Sequence, residues 1–185
     1  MTERIAVVGI DLSLTQTGLA VITDGGLAET RTVKTTGKIA DSLEQRKVRI
    51  FDIVNQIGGF VDRWLPDLAV IEAPSFGSNY GSAHDRAGLW WGTVEMLMRH
   101  HIPVAQISPK QRAKYATGNG NADKKLVHGN VILTYGSADN PIKTNDEADA
   151  TILAAMGSRY LGKIVEKYDL PEDMLVAMEK VQWPV

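Results

Sequence analysis

The chain has 185 residues, 44% of them hydrophobic and 23% charged, with a formal net charge of −2. That length supports one ordinary domain with a full core, and the absence of cysteine excludes disulfides and thiolate metal sites. No stretch approaches the roughly 18–20 apolar residues of a membrane span, so a cytoplasmic protein is expected, and the slight acidity puts any nucleic-acid surface into local patches.

In chain order, Ile5-Ala6-Val7-Val8-Gly9-Ile10 reads as a strand buried on both faces, and it ends on a carboxylate, Asp11. Gly18 to Thr23 and Leu27 to Thr35 read as two further strands, joined at Asp24-Gly25-Gly26, a hairpin signal. From about Asp41 to Leu65 the spacing predicts an amphipathic helix, with Leu43, Val48, Ile50, Phe51, Val54, Ile57 and Val61 on its apolar side. Leu68-Ala69-Val70-Ile71 is a short buried strand that also ends on an acid, Glu72. Asp favours turns in general, but two apolar strands with the same ending point to a site. The C-terminal ends of strands are where open α/β sheets bind ligands.

Ala73 to Ala83 reads as a loop carrying Phe76 and Tyr80. A helix follows from Ser82 to about His100, with Ala87, Trp90, Trp91, Val94, Leu97 and Met98 assigned to its apolar side. Trp90 and Trp91 point about 100° apart, so one is expected inside and the other at a partner's surface. Ile102 to Ala105 gives another strand. Ser108-Pro109 opens a short helix as N-cap and first helical residue. A further helix runs from Ala122 to Tyr135, and a last long one starts near Asn145. The order of elements predicts one mixed-sheet α/β domain over residues 1–170, with 171–185 as a tail of unassigned role.

The last helix begins Asn145-Asp146-Glu147-Ala148-Asp149. Asp146 and Asp149, three apart, share a face, whereas Glu147 lies about 100° further round. The helix dipole favours acids in a first turn, but it leaves Asp11 and Glu72 unexplained. Four clustered carboxylates repel one another unless cations neutralise them. Oxygen-only ligands suit Mg²⁺ or Mn²⁺, and the matching chemistry is two-metal phosphodiester hydrolysis.

Taken together, these blocks resemble the RuvC-type Holliday-junction resolvases of the RNase H-like nuclease superfamily. The resemblance rests on Gly9-Ile10-Asp11 with Thr17-Gly18, Ile71-Glu72, Ser108-Pro109, the run Ala116-Thr117-Gly118-Asn119-Gly120-Asn121-Ala122-Asp123-Lys124, and Asp146 with Asp149-Ala150. They stand in family order over nearly the whole chain, ending before the tail. The opening block alone is shared with sugar kinases and actin-like ATPases; the Gly-Asn-Gly block followed by the acidic pair is the specific part. The resemblance implies an RNase H-like mixed five-stranded sheet flanked by helices, with Asp11, Glu72, Asp146 and Asp149 as catalytic metal ligands. It further implies two Mg²⁺ ions per site, with Mn²⁺ able to substitute, and a homodimer acting on branched DNA in a bacterial cell or phage-infected host. Opposed strands of a four-way junction would be nicked symmetrically, leaving 5′-phosphate and 3′-hydroxyl ends.

Lys110, Arg112, Lys114, Lys124 and Lys125 face a single acid, Asp123, between Ser108 and His128. Such a patch can neutralise phosphates, and these five are assigned to DNA binding. The resolvases carry one lysine shortly before the Gly-rich turn and one shortly after it. Lys124 matches the second; Ala113 holds the first position, with Lys114 beside it. Phe76 falls near where the resolvases place an aromatic at the junction centre, and aromatic side chains stack on unpaired bases. Gly118-Asn119-Gly120 fails the P-loop spacing, and His84, His100, His101 and His128 show no motif geometry. Two other classes stand beside the nuclease: a non-catalytic junction-binding protein, and an ATP-using kinase-like domain, which would need a second lobe.

Overall fold

The computed structural model describes residues 4–38, 40–74 and 82–184. Its centre is a five-stranded sheet in the order β3-β2-β1-β4-β5, formed by β1 (Ala6–Asp11), β2 (Gln16–Thr23), β3 (Gly26–Lys34), β4 (Leu68–Glu72) and β5 (Val104–Ile107). The first three strands form an antiparallel meander. Strands β4 and β5 run parallel to β1, so β1 and β4 end on the same rim of the sheet. β5 starts two residues later than its apolar run suggests. Pro103 has no N–H to give a ladder; its carbonyl accepts from Ala69 N at 2.9 Å, and regular pairing begins at Val104.

Alternating side chains divide between two cores. Val7, Ile22, Leu68 and Val70 pack under α3 (Pro109–Thr117), α4 (Lys124–Tyr135) and α5 (Asn145–Tyr160). Val8, Ile10, Leu19, Val21 and Ile71 pack under α1 (Leu43–Trp64) and α2 (Ala83–Arg99). The ends of the elements follow local chemistry. Ser42 and Ser108 cap α1 and α3 with full capping boxes through Gln45 and Gln111, and Asp123 caps α4.

The α1 stripe is narrower than its spacing suggests. Ile53, Ile57, Phe60 and Val61 carry the packing, while Leu43, Val48 and Phe51 are exposed. On α2 the inward face is Asp85, Leu89, Thr93, Val94 and Leu97, whereas Ala87, Met98 and Trp91, the last 65% exposed, point out. Gly88 and Gly92 turn toward Ile50 and Val54 of α1, so the two helices meet through glycines and the larger residues rotate away.

Packing crosses residue 170. Leu170 and Ala177 lie in the same core as α3 to α5, carried by α6 (Glu172–Leu175) and a 3₁₀ turn at Val176–Met178. Trp183 stacks on Tyr160 with centroids 4.5 Å apart, and Tyr160 Oη donates to Pro184 O at 2.8 Å. Residues 171–184 therefore form a strap over the α3–α5 layer and are part of the domain's packing. Among the described residues no helix is long and apolar enough to cross a membrane.

Candidate active site

The two strand-end acids lie side by side because β1 and β4 are parallel neighbours in register, Ile10 opposite Ile71. The helical pair reaches them because α5 lies unusually close to the sheet. A Cβ built on Gly9 would stand 2.0 Å from Ala150 O, and one on Gly18 would stand 1.9 Å from Asp146 O. Only glycine permits that approach. Along α5 every residue from Glu147 to Ser158 is buried, most of them small, which lets the helix settle onto β1 and β2 with its first turn over the rim. Thr144 caps that turn by accepting from Glu147 N at 3.1 Å.

The acids act on one another's titration. The Asp11 carboxyl is held well above the usual carboxylate range, by burial first and then by Glu72, Asp149 and Asp146, against the pull of Arg112. Asp149 is pushed up to about 6, chiefly by burial, with Arg112 and Lys124 drawing it down and Glu72 and Asp146 adding to the rise. Glu147 points away from this group, as its place on the helix requires. It accepts from Thr32 Oγ1 at 2.8 Å and Lys143 N at 2.7 Å, tying α5 to β3.

Arg112 stands inside the group. Its Nε donates to Glu72 and its Nη1 to Asp149, with only 11% of its side chain exposed. The sequence grouped Arg112 with the phosphate-facing bases; the fold turns it inward, because α3 lies across the end of β5 with this residue toward the acids. Lys110, Lys124 and Lys125 are exposed and Lys114 is half-buried, so the other four remain toward solvent. Phe76 lies outside the described residues. Trp90 is a site neighbour that pattern reasoning assigned either to the core or to a partner's surface. Its Nε1 donates to Glu72 O at 3.1 Å, fixing the strand end that carries the acid. The adjacent tryptophans were the available signal, since one of them needed a polar partner if buried.

Asp11, Glu72, Asp146 and Asp149 offer oxygen donors alone, and burial, followed by repulsion from the neighbouring acids, raises Asp11 and Asp149. A divalent cation would relieve that repulsion, so the donor set fits one. Among the described residues no group of three or more acidic or histidine side chains is set to hold a metal ion as it stands; Arg112 lies between Glu72 and Asp149.

The chain matches the family model described as "Crossover junction endodeoxyribonuclease RuvC" over residues 7–156. It is 30% identical over 148 residues to the crossover junction endodeoxyribonuclease RuvC of Salinibacter ruber, covering 80% of this chain and 82% of that one. Against the protein of the same name from Corynebacterium efficiens it is 28% identical over 152 residues, 82% of this chain and 68% of the other. In fold it is similar to Thermus thermophilus RuvC, with a TM-score of 0.68 and 20% identity, over 88% of this chain and 99% of that one. The same Thermus protein in complex with a Holliday junction substrate superposes with a TM-score of 0.67, at the same identity and coverage. This chain belongs to the RuvC family of crossover junction endodeoxyribonucleases.

Proposed function

We propose that this chain resolves four-way DNA junctions or related branched DNA, with Asp11, Glu72, Asp146 and Asp149 as the ligands of two Mg²⁺ ions that Mn²⁺ can replace. The observation that carries the assignment is geometric: β1 and β4 in parallel register bring Asp11 beside Glu72, and Arg112 joins Glu72 to Asp149, while burial and the neighbouring acids raise the Asp11 carboxyl. A pair of divalent ions about 3.5–4 Å apart stabilises both the attacking and the leaving oxygen of a phosphodiester. The protein's part is placement. β1 and β4 hold Asp11 and Glu72 at one rim, the glycine-lined approach of α5 brings Asp146 and Asp149 over them, and Trp90 holds the Glu72 backbone. Lys124 lies close enough to Asp149 to lower its pKa, and from the start of α4 it can meet the phosphate next to the scissile one. Lys110, Lys114 and Lys125 extend that surface, and Phe76 is assigned to the unpaired bases at the junction centre.

Paired nicks need two sites in a fixed relation, and a two-fold homodimer is the simplest means. The exposed Trp91 on α2 supplies an aromatic anchor suited to such an interface. The place of action is the cytoplasm, where such junctions arise. A synthetic four-way junction tests the assignment. The wild type should bind it in Ca²⁺ and, in Mg²⁺ or Mn²⁺, nick opposed strands to leave 5′-phosphate and 3′-hydroxyl ends. Tight binding without cutting in either metal would instead make the chain a junction-binding protein.

A further inference from the structure

A second charged cleft lies on the same rim of the sheet as the acids but on the α1/α2 side. It is bounded by Leu14 and Thr15 of the β1–β2 connection, by Gly37 and Lys38 after β3, by Arg46 and Arg49 of α1, and by Ser82 and Asp85 at the start of α2. These segments meet there for a topological reason. β1 ends and β2 begins on this rim, β3 ends on it, and both helices start from it; Thr35 N donates to Thr15 O at 3.0 Å and closes the corner.

Three cations line the cleft against one carboxylate. Asp85 is buried and takes Arg46 Nε at 2.9 Å and Nη2 at 2.5 Å. Arg46 holds the Asp85 carboxyl below its usual range, so the pair stays charged. Asp85 thus neutralises and orients Arg46, while Lys38 and Arg49 keep a surplus of positive charge. Arg49 Nε is buried and has no hydrogen-bond partner among the described residues. A buried guanidinium N–H left unpaired is costly, and a turn of the Arg49 side chain toward an anion in the cleft would satisfy it. The guanidinium is also seated by design of the backbone. It occupies the space where a Cβ on Gly37 would stand, 1.5 Å from Arg49 Nη1, so residue 37 has to be glycine for Arg49 to lie where it does.

We propose that this cleft is a phosphate subsite, with Arg49 as its anchor and Lys38 as its outer charge, that holds a backbone phosphodiester of the DNA away from the cutting site. The inference rests on the reading of the chain as a branched-DNA nuclease. A strand crossing the rim at the acids continues over either layer, and the basic residues already assigned cover only the α3/α4 side. Arg49 and Lys38 give the other side its own backbone contact. A planar fork with an unpaired N–H suits one phosphate oxygen and a second donor beside it.

The test is fluorescence anisotropy of a labelled four-way junction in Ca²⁺ across a salt series, with Arg49→Gln, Lys38→Gln, Gly37→Ala and Lys124→Ala against wild type. Loss of one phosphate contact lowers the slope of log affinity against log salt by about 1. Arg49→Gln is expected to bind about 3- to 10-fold more weakly at moderate salt with that smaller slope, and Lys38→Gln to show the same in lesser degree. Gly37→Ala should match Arg49→Gln although it removes no charge, because the new methyl unseats the guanidinium. Melting temperature is followed for each. Lys38 is exposed, so if Arg49→Gln fails to fold, Lys38→Gln decides the matter. Wild-type affinity and slope in folded Arg49→Gln overturn the subsite, as does an unchanged slope in Lys38→Gln when it is the deciding variant. In either case a weakened Lys124→Ala leaves the nuclease reading intact. If wild type itself does not bind the junction, it is that reading which fails.

Discussion

The two layers flanking the sheet are built on different rules. α5 buries an unbroken run of twelve residues, Glu147 to Ser158, and comes so near β1 and β2 that glycines stand under it. α1 is an ordinary amphipathic helix, 22 residues long, that buries five of them. α1 and α2 also touch through glycines, but there added methyl groups would find normal contact distances, 3.6 Å to Val54 from Gly92. The difference shows where positional tolerance is small. The layer that carries Asp146 and Asp149 is locked to the sheet, and the layer with the exposed tryptophan is set at ordinary contact distances.

The sharpest break concerns the acids of the locked layer. Asp146→Asn and Asp149→Asn should each lower the cutting rate by about 100-fold or more while leaving junction binding in Ca²⁺ nearly unchanged, because a lost ligand costs metal positioning and not phosphate contacts. A rate near wild type would remove that residue from the site. Glu147→Gln should cut once folded, yet it should melt lower, since its carboxylate joins α5 to Thr32 and to the Lys143 backbone.

Glycine substitutions compare the layers directly. Gly9→Ala forces a methyl group onto the α5 backbone and should cost about 3 kcal/mol or more in stability. Gly92→Ala meets only ordinary contact, removes a helical glycine, and should stabilise by up to about 1 kcal/mol. Equal effects in chemical denaturation would mean that α5 is no more tightly set than α2.

On the looser layer, Trp91→Glu should weaken self-association by about 2 kcal/mol or more and yield monomers in light scattering. Paired cutting of a cruciform plasmid should then give way to single nicks. A folded variant that stays dimeric moves the interface off α2.

A further expected effect is on pH dependence. Asp149 has an ordinary carboxylate in the unfolded chain and a pKa of about 6 in the fold. The stability associated with its protonated form is fully present below the unfolded value near 3.8 and is lost as pH rises through about 6. In chelator, the wild type should therefore lose on the order of 2 kcal/mol relative to Asp149→Asn between pH 4 and pH 7. Parallel stability curves for the two proteins would show that Arg112 already offsets the cost of ionising the buried acid.

Much of the candidate site was legible because its acids interrupt strong patterns. Asp11 and Glu72 stand out at the ends of apolar, β-branched runs, and Asp146 and Asp149 share a helix face by arithmetic. Arg112 was not legible. Whether a basic residue on a short helix faces solvent or the acids depends on how that helix rolls against its neighbours, and α3 has a weak apolar stripe. The outward tryptophan was readable only as one of two, and the inward face of α2 was misread, because glycine contacts with α1 set its rotation.

By itself, then, the sequence determined the order of the five strands and of α1 to α5, the capped starts of α1 and α3, the family, and four acids at the ends of patterned segments. These are local matters, settled by periodicity, β-branching and capping chemistry. Tertiary structure decided what local rules leave free: the pairing of β1 with β4 that brings Asp11 beside Glu72, the depth at which α5 lies, the inward turn of Arg112, and the meeting of Gly37 with Arg49. Each of these depends on contacts between residues far apart in the chain, and rotation about a helix axis or approach to a sheet has no local signature strong enough to fix it.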